Sequence, residues 1–219
     1  MNRENLCKII KRIYLDKENE IRGRIEEFRH IGTLGSNEDI FFELVYCMLA
    51  AGTSAELAFK VHNILRKDDF IISANQKQII QKLKTCYRFY NLRGEYIYQT
   101  REYFQKNFNF DFKKIIKDNY SSEGRRGFFA EDKNIIGIGM KVASHFLRNI
   151  GFMEYAILDK HVIQIMKEFN LISDKFKISN KVKYIECELV LRELGEYVNL
   201  TMGELDFVLW YYKTGKIIK

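Results

Sequence analysis

Apolar residues recur along this chain at intervals of three and four, the spacing of one face of an α-helix. Leu6, Ile9, Ile10 and Ile13 open the series. Ser36 and Asp39 form a capping-box pair ahead of the stripe Phe41, Leu44, Val45, Met48 and Leu49. The same spacing returns in Ile79, Ile80, Leu83 and Tyr87, and in Phe112, Ile115, Ile116 and Tyr120. It continues through Val162, Ile165, Met166 and Phe169, then Val182, Ile185 and Leu189, and closes with Leu205, Val208, Leu209 and Tyr212. Only Phe108 to Phe112 alternates at period two, a run too short for a dependable strand. The pattern predicts an all-α fold.

Composition strengthens that reading. The 219 residues include no proline, so nothing of that kind interrupts a helix or builds a stiff linker. Glycine punctuates the chain instead, and S-S-E-G-R-R-G (121–127) reads as an exposed loop. With 47% apolar residues the chain can bury a substantial core and is not disordered. The apolar stretch from Leu44 to Ala55 is too short to span a bilayer, and the N-terminus lacks a signal-peptide core. Both point to a cytoplasmic protein without a membrane partner. Cys7, Cys47, Cys86 and Cys187 are scattered without ligand spacing, which predicts reduced thiols and no metal site.

Charge adds a location. The chain carries 36 basic and 29 acidic residues, net +7. Residues 77–160 hold 16 basic and 9 acidic side chains, so the whole excess falls there and the rest is balanced. A basic stretch of this kind is suited to a polyanion.

Within it lies I-I-G-I-G-M-K-V-A-S-H-F-L-R-N-I-G-F (135–152). Gly137 and Gly139 flank Ile138, a pattern for a tight turn with the isoleucine plugged into the core. Met140 to Asn149 then forms a helix closed by Gly151. The first N–H groups of that helix, in a turn lined by glycine, suit a DNA phosphate. Lys141 stands in its first turn and is either a phosphate-binding lysine or a nucleophile. Eighteen residues on, Asp159 precedes the next amphipathic run and reads as a helix N-cap. A carboxylate held this way can also stabilise an oxocarbenium-like transition state.

The G-I-G-M-K-V-A-S-H-F-L-R-N-I-G segment followed by L-D-K-H resembles the helix-hairpin-helix DNA glycosylase superfamily. The compact, type-two 8-oxoguanine DNA glycosylase/AP lyase family is the most similar branch. The resemblance extends from about Ile40 to the last residue. It implies two helical subdomains with the active site in the cleft between them: residues 37–148, ending in the hairpin, and residues 1–36 with 149–219. It implies a monomer that flips 8-oxoguanine out of duplex DNA, associates with the nucleoid when bound to DNA, and needs no metal or organic cofactor. Lys141 would attack C1′ with help from Asp159. Arg88 would fill the gap left in the duplex, and Phe89 would stack by the extruded base. Trp210 would line the base pocket, and Lys219, nine residues later, would contact the oxidised base. Gly137 and Gly139 would hold the DNA backbone. The alternatives are a glycosylase for a different damaged base and a non-catalytic helix-hairpin-helix DNA-binding protein. The second would require neither Lys141, Asp159 nor Lys219.

Overall fold

The computed structural model describes residues 2–218. In chain order the helices are α1 (Arg3–Thr33), α2 (Asn37–Ala50), α3 (Ala55–Arg66), α4 (Phe70–Ser73), α5 (Gln76–Lys84) and α6 (Tyr90–Phe108). Then follow α7 (Phe112–Asp118), α8 (Ser122–Glu131), α9 (Met140–Asn149), α10 (Lys160–Glu168), α11 (Lys181–Val198) and α12 (Met202–Thr214). A 3-10 turn, Lys67–Asp69, sits between α3 and α4. No strand occurs among the described residues, so the fold is all-α as the periodicity predicts. No described helix is long and apolar enough to cross a membrane.

Local chemistry starts and stops these helices. Ser36 accepts from the Asp39 N–H while the Asp39 carboxylate accepts from the Ser36 N–H, completing the expected capping box. Asn75 with Gln78, and Thr201 with Glu204, build the same reciprocal cap on α5 and α12. Lacking proline, the chain ends several helices on left-handed residues: Asn109 after α6, Asn199 after α11 and Gly215 after α12. Phe110 follows Asn109 into the same region, so the alternating run at 108–112 is a left-handed turn. Packing of Phe110 against Phe41 and Phe112, each 5.2 Å away between ring centroids, holds it there.

The chain divides into two compact units. One is Ile31–Phe146; the other is the chain up to His30 together with Leu147–Ile218, so both divisions fall inside helices, α1 and α9. In the first unit α2 is buried on every side. Ile40 to Leu49 are all inaccessible, including Glu43, where the sequence predicts only a stripe. A helix enclosed all round is a core helix. Around it, Phe104 packs on Phe112 at 4.5 Å and Phe129 on Phe146 at 4.8 Å. The second unit closes over Leu6, Ile10, Phe28, Ile165, Leu194 and Phe207.

Three expectations need correction. Residues 121–127 are not an exposed loop. Ser121 caps α8 by accepting from the Gly124 N–H, and Arg126 is buried. A good N-cap and a packed face outweigh the two glycines, each of which costs about 1 kcal/mol in a helix.

The second concerns α11, which buries the opposite face from the one predicted. Val182 and Leu189 are exposed (64% and 52%), whereas Tyr184, Cys187, Glu188, Leu191 and Leu194 are buried. The buried face carries a carboxylate and a phenol, so its apolar signal is weak.

Third, the basic stretch is not all surface. Arg101, Arg126 and Arg148 are buried. Arg101 donates to the carbonyls of Ile71 and Ala74 at 2.6 and 2.7 Å. The guanidinium of Arg148 lies 4.9 Å from the Phe28 ring centre and 4.7 Å from that of Phe207, and pairs with Asp206. These cations hold helices together and contribute little to a surface field.

Candidate active site

In the unit Ile31–Phe146 the hairpin forms as its glycines predict. Gly137 has φ +78°, and a Cβ there would stand 2.2 Å from Cδ2 of Tyr96. Only glycine satisfies both the left-handed turn and the close approach of that ring. Ile138 is buried at the tip of the turn, and α9 begins at Met140 with the Ala143 N–H donating to the Gly139 carbonyl. The preceding N–H groups of the first turn have no intrahelical acceptor by geometry and present partial positive charge. Lys141, half-buried, rises from this same turn. One turn later on the same face comes His145, whose ring meets that of Tyr46 edge-on at 5.7 Å.

The helix closes in the other unit. The Phe152 N–H returns to the Leu147 carbonyl and the Gly151 N–H to that of Arg148, with φ +98° at Gly151. This is the Schellman stop expected of that glycine.

Arg88 and Phe89 lie in the turn between α5 and α6, not within a helix. Phe89 is the N-cap residue of α6 and is 39% exposed, with the Arg88 guanidinium 5.2 Å from its ring centre. The ring leans on Gly52, whose Cβ would stand 3.3 Å from Cδ2. Its other neighbour, Tyr87, is the core aromatic of this segment and donates its hydroxyl to the Leu49 carbonyl at 2.6 Å. Burial raises the Tyr87 phenol above its ordinary value, and the charge of Arg93 opposes the rise. Arg93 also lies 5.7 Å from the Tyr96 ring centre. Thus α6 connects Phe89, at its start, to the hairpin glycine that Tyr96 covers. Sequence reasoning missed Tyr96 because nothing local distinguishes it from the other tyrosines of α6.

Asp159 and Trp210 belong to the second unit. Asp159 is the N-cap of α10. Its Oδ1 accepts from the N–H groups of His161 and Val162, both at 2.8 Å, leaving Oδ2 outside that pair. The His161 ring meets the Trp210 indole at 5.3 Å between centroids. Trp210 is half-buried, and its Nε1 is buried with no hydrogen-bond partner among the described residues. Carboxylate and indole are therefore linked through one histidine, which the sequence displays only as a neighbour of Asp159. Lys219 lies outside the described residues. No group of three or more His, Cys, Asp and Glu that could hold a metal occurs among the described residues.

A family model described as 8-oxoguanine DNA glycosylase matches residues 21–200. The chain is 38% identical over 216 residues to an 8-oxoguanine DNA glycosylase/AP lyase of Methanocaldococcus jannaschii, covering 96% of this chain and 99% of that protein. It is 34% identical to a protein of the same name from Fusobacterium nucleatum, with 96% of each covered. The crystal structure of the Thermotoga maritima 8-oxoguanine DNA glycosylase superposes with a TM-score of 0.88 at 34% identity over the whole of both chains. The M. jannaschii 8-oxoguanine glycosylase/lyase, solved in complex with a 15-mer DNA containing 8-oxoguanine, superposes with a TM-score of 0.89 at 35% identity. That comparison covers 98% of this chain and 99% of the other.

Proposed function

This chain belongs to the 8-oxoguanine DNA glycosylase family, and from that premise we propose that it excises 8-oxoguanine from duplex DNA and then cleaves the resulting abasic site. The observation that carries the catalytic assignment is the placement of Lys141 in the first turn of α9, immediately after the glycine turn. The N–H groups of that turn hold a DNA phosphate while the amine beside them meets the sugar. As the free amine of Lys141 bonds to C1′, the bond from C1′ to the base breaks and the base departs with the bonding electrons. Opening of the sugar gives a Schiff base between Lys141 and C1′. Loss of a C2′ proton then expels the 3′ phosphate by β-elimination, and water releases the lysine.

Asp159 stabilises the positive charge that develops at C1′ as the base leaves. Its backbone hydrogen bonds fix Oδ1, so Oδ2 can face the sugar at no reorganisation cost. Arg88 fills the space vacated by the flipped nucleotide, and Phe89, Trp210 and Lys219 contact the extruded base. Its half-exposed edge beside Gly52 supports this role for Phe89. The edge-on contact of Trp210 with His161, whose N–H donates to Asp159, supports the placement of the indole beside the carboxylate. The protein acts on duplex DNA as a monomer and requires no organic cofactor.

Borohydride trapping tests the assignment. Wild type is expected to cross-link to a duplex carrying 8-oxoguanine, and Lys141→Gln to bind that duplex without cross-linking. Absence of an adduct with 8-oxoguanine, uracil, thymine glycol and an abasic site alike would overturn the lyase reading. Trapping only on another lesion would replace the substrate.

A further inference from the structure

Residues 154–158 run between α9 and α10 without helical structure, yet Tyr155 to Leu158 are buried. Their backbone polar groups need partners, because an unpaired buried N–H or C=O costs free energy comparable to a lost hydrogen bond. The partners come from one face of α11. Arg192 donates to the Glu154 carbonyl at 3.0 Å. Glu188, itself 3% exposed, accepts from the Ala156 N–H at 2.9 Å. Tyr184 donates its hydroxyl to the Ala156 carbonyl at 2.7 Å and accepts from the Leu158 N–H at 3.3 Å.

These three side chains stand four residues apart, one above another along the helix. They serve alternate residues of the segment in reverse order. Eight residues of helix rise about 12 Å, and four residues of chain reach about 13 Å at full extension. The two elements therefore stay in step over three rungs. The last rung holds Leu158, the residue before Asp159, and there the Asp159 N–H turns back to the Ile157 carbonyl at 2.9 Å. Asp159 thus emerges from a segment whose backbone path is set by α11, and its cap on α10 fixes the other end.

We propose that Tyr184 is a positioning residue for base excision: its hydroxyl on Ala156 and Leu158, together with Glu188 on the Ala156 N–H, sets where Asp159 presents its carboxylate. This rests on the catalytic reading of Asp159. Tyr184 does not touch substrate; it acts by holding the 156–158 backbone. Both Tyr184 and Glu188 fall on the face of α11 that apolar periodicity does not select, and chemistry at Asp159 gives that polar choice a reason. A misplacement of about 1 Å can cost up to about a hundredfold in rate.

The test uses Tyr184→Phe, which removes only the hydroxyl, in the full-length protein. Single-turnover excision of 8-oxoguanine is expected to slow roughly tenfold, while affinity for a duplex with a non-cleavable abasic analogue changes less than twofold. In an Asp159→Asn background the same substitution should cause no further loss, because the group being positioned is gone. An excision rate within twofold of wild type, or losses that multiply in the double variant, would overturn the proposal. If Asp159→Asn alone retains wild-type excision, the catalytic reading fails instead. Should Tyr184→Phe not fold, Glu188→Gln and Glu188→Ala decide: glutamine keeps an acceptor for the Ala156 N–H and should excise several-fold faster than alanine. Equal rates would refute the positioning role.

Discussion

The imidazole of His161 meets the indole of Trp210 edge-on, with centroids 5.3 Å apart and ring planes at 88°. The backbone N–H of the same histidine donates to Asp159. One residue thus ties the orientation of the indole to the cap that holds the carboxylate. Edge-to-face aromatic pairs contribute about 0.5–1.5 kcal/mol beyond burial. Trp210 is the only tryptophan, so tryptophan emission reports the surroundings of this one indole. His161→Ala should shift the emission maximum and raise acrylamide quenching, and slow base excision more than cleavage of a preformed abasic site. His161→Phe should restore the spectrum. Unchanged emission in His161→Ala would show that the pair does not orient the indole.

Capping and catalysis at Asp159 can be separated. Asparagine caps helices as well as aspartate, whereas alanine loses about 1 kcal/mol. Asp159→Asn should therefore keep the melting temperature of wild type while losing most excision activity, and Asp159→Ala should lose both. Full activity in the asparagine variant would assign the residue to structure alone.

Glu168 ties α10 to α12. It receives the Lys213 ammonium at 2.6 Å and the Tyr212 hydroxyl at 3.0 Å. The bond from Lys213 is the main cause holding its carboxyl below the ordinary 4.5, and burial opposes it. A depressed carboxyl stabilises the fold above its unfolded value and loses that contribution as pH falls through the folded value. The melting temperature should thus decline below about pH 4.5, and Glu168→Gln should flatten that decline. An identical pH profile for the variant would refute the link.

The cysteines should differ in reactivity. Burial, assisted by the charge of Glu188, pushes the Cys187 thiol up to about 11. Cys7 and Cys47 are buried as well, and Cys86 is half-buried. At pH 8 a disulfide reagent should modify Cys86 within minutes and the other three only on unfolding. Rapid modification of Cys187 in the native protein would contradict its packing.

Helix placement was legible in the sequence wherever its cause is local. Ser36 and Asp39 cap α2 through contacts three residues apart. Asp159 caps α10 the same way, and Gly137 and Gly151 take the conformations their turns require. Such interactions involve residues near one another in the chain, so pattern and spacing suffice. The family signature from Gly137 to Asp159 is legible for the same reason.

Tertiary structure alone decided which polar groups are buried and what they meet. Val182 and Leu189 have the right spacing for a core face, yet α11 turns Tyr184 and Glu188 inward, because the backbone of Ala156, 28 and 32 positions away from them, needs hydrogen bonds. Arg148 sits in the basic stretch but spends its charge on Asp206 and two rings of distant helices. Tyr96 covers Gly137 across 41 residues, and His161 meets Trp210 across 49. The periodicity of a helix says where its apolar side chains fall. A buried polar group instead goes where a partner can satisfy it, and that partner is found only when the chain has folded.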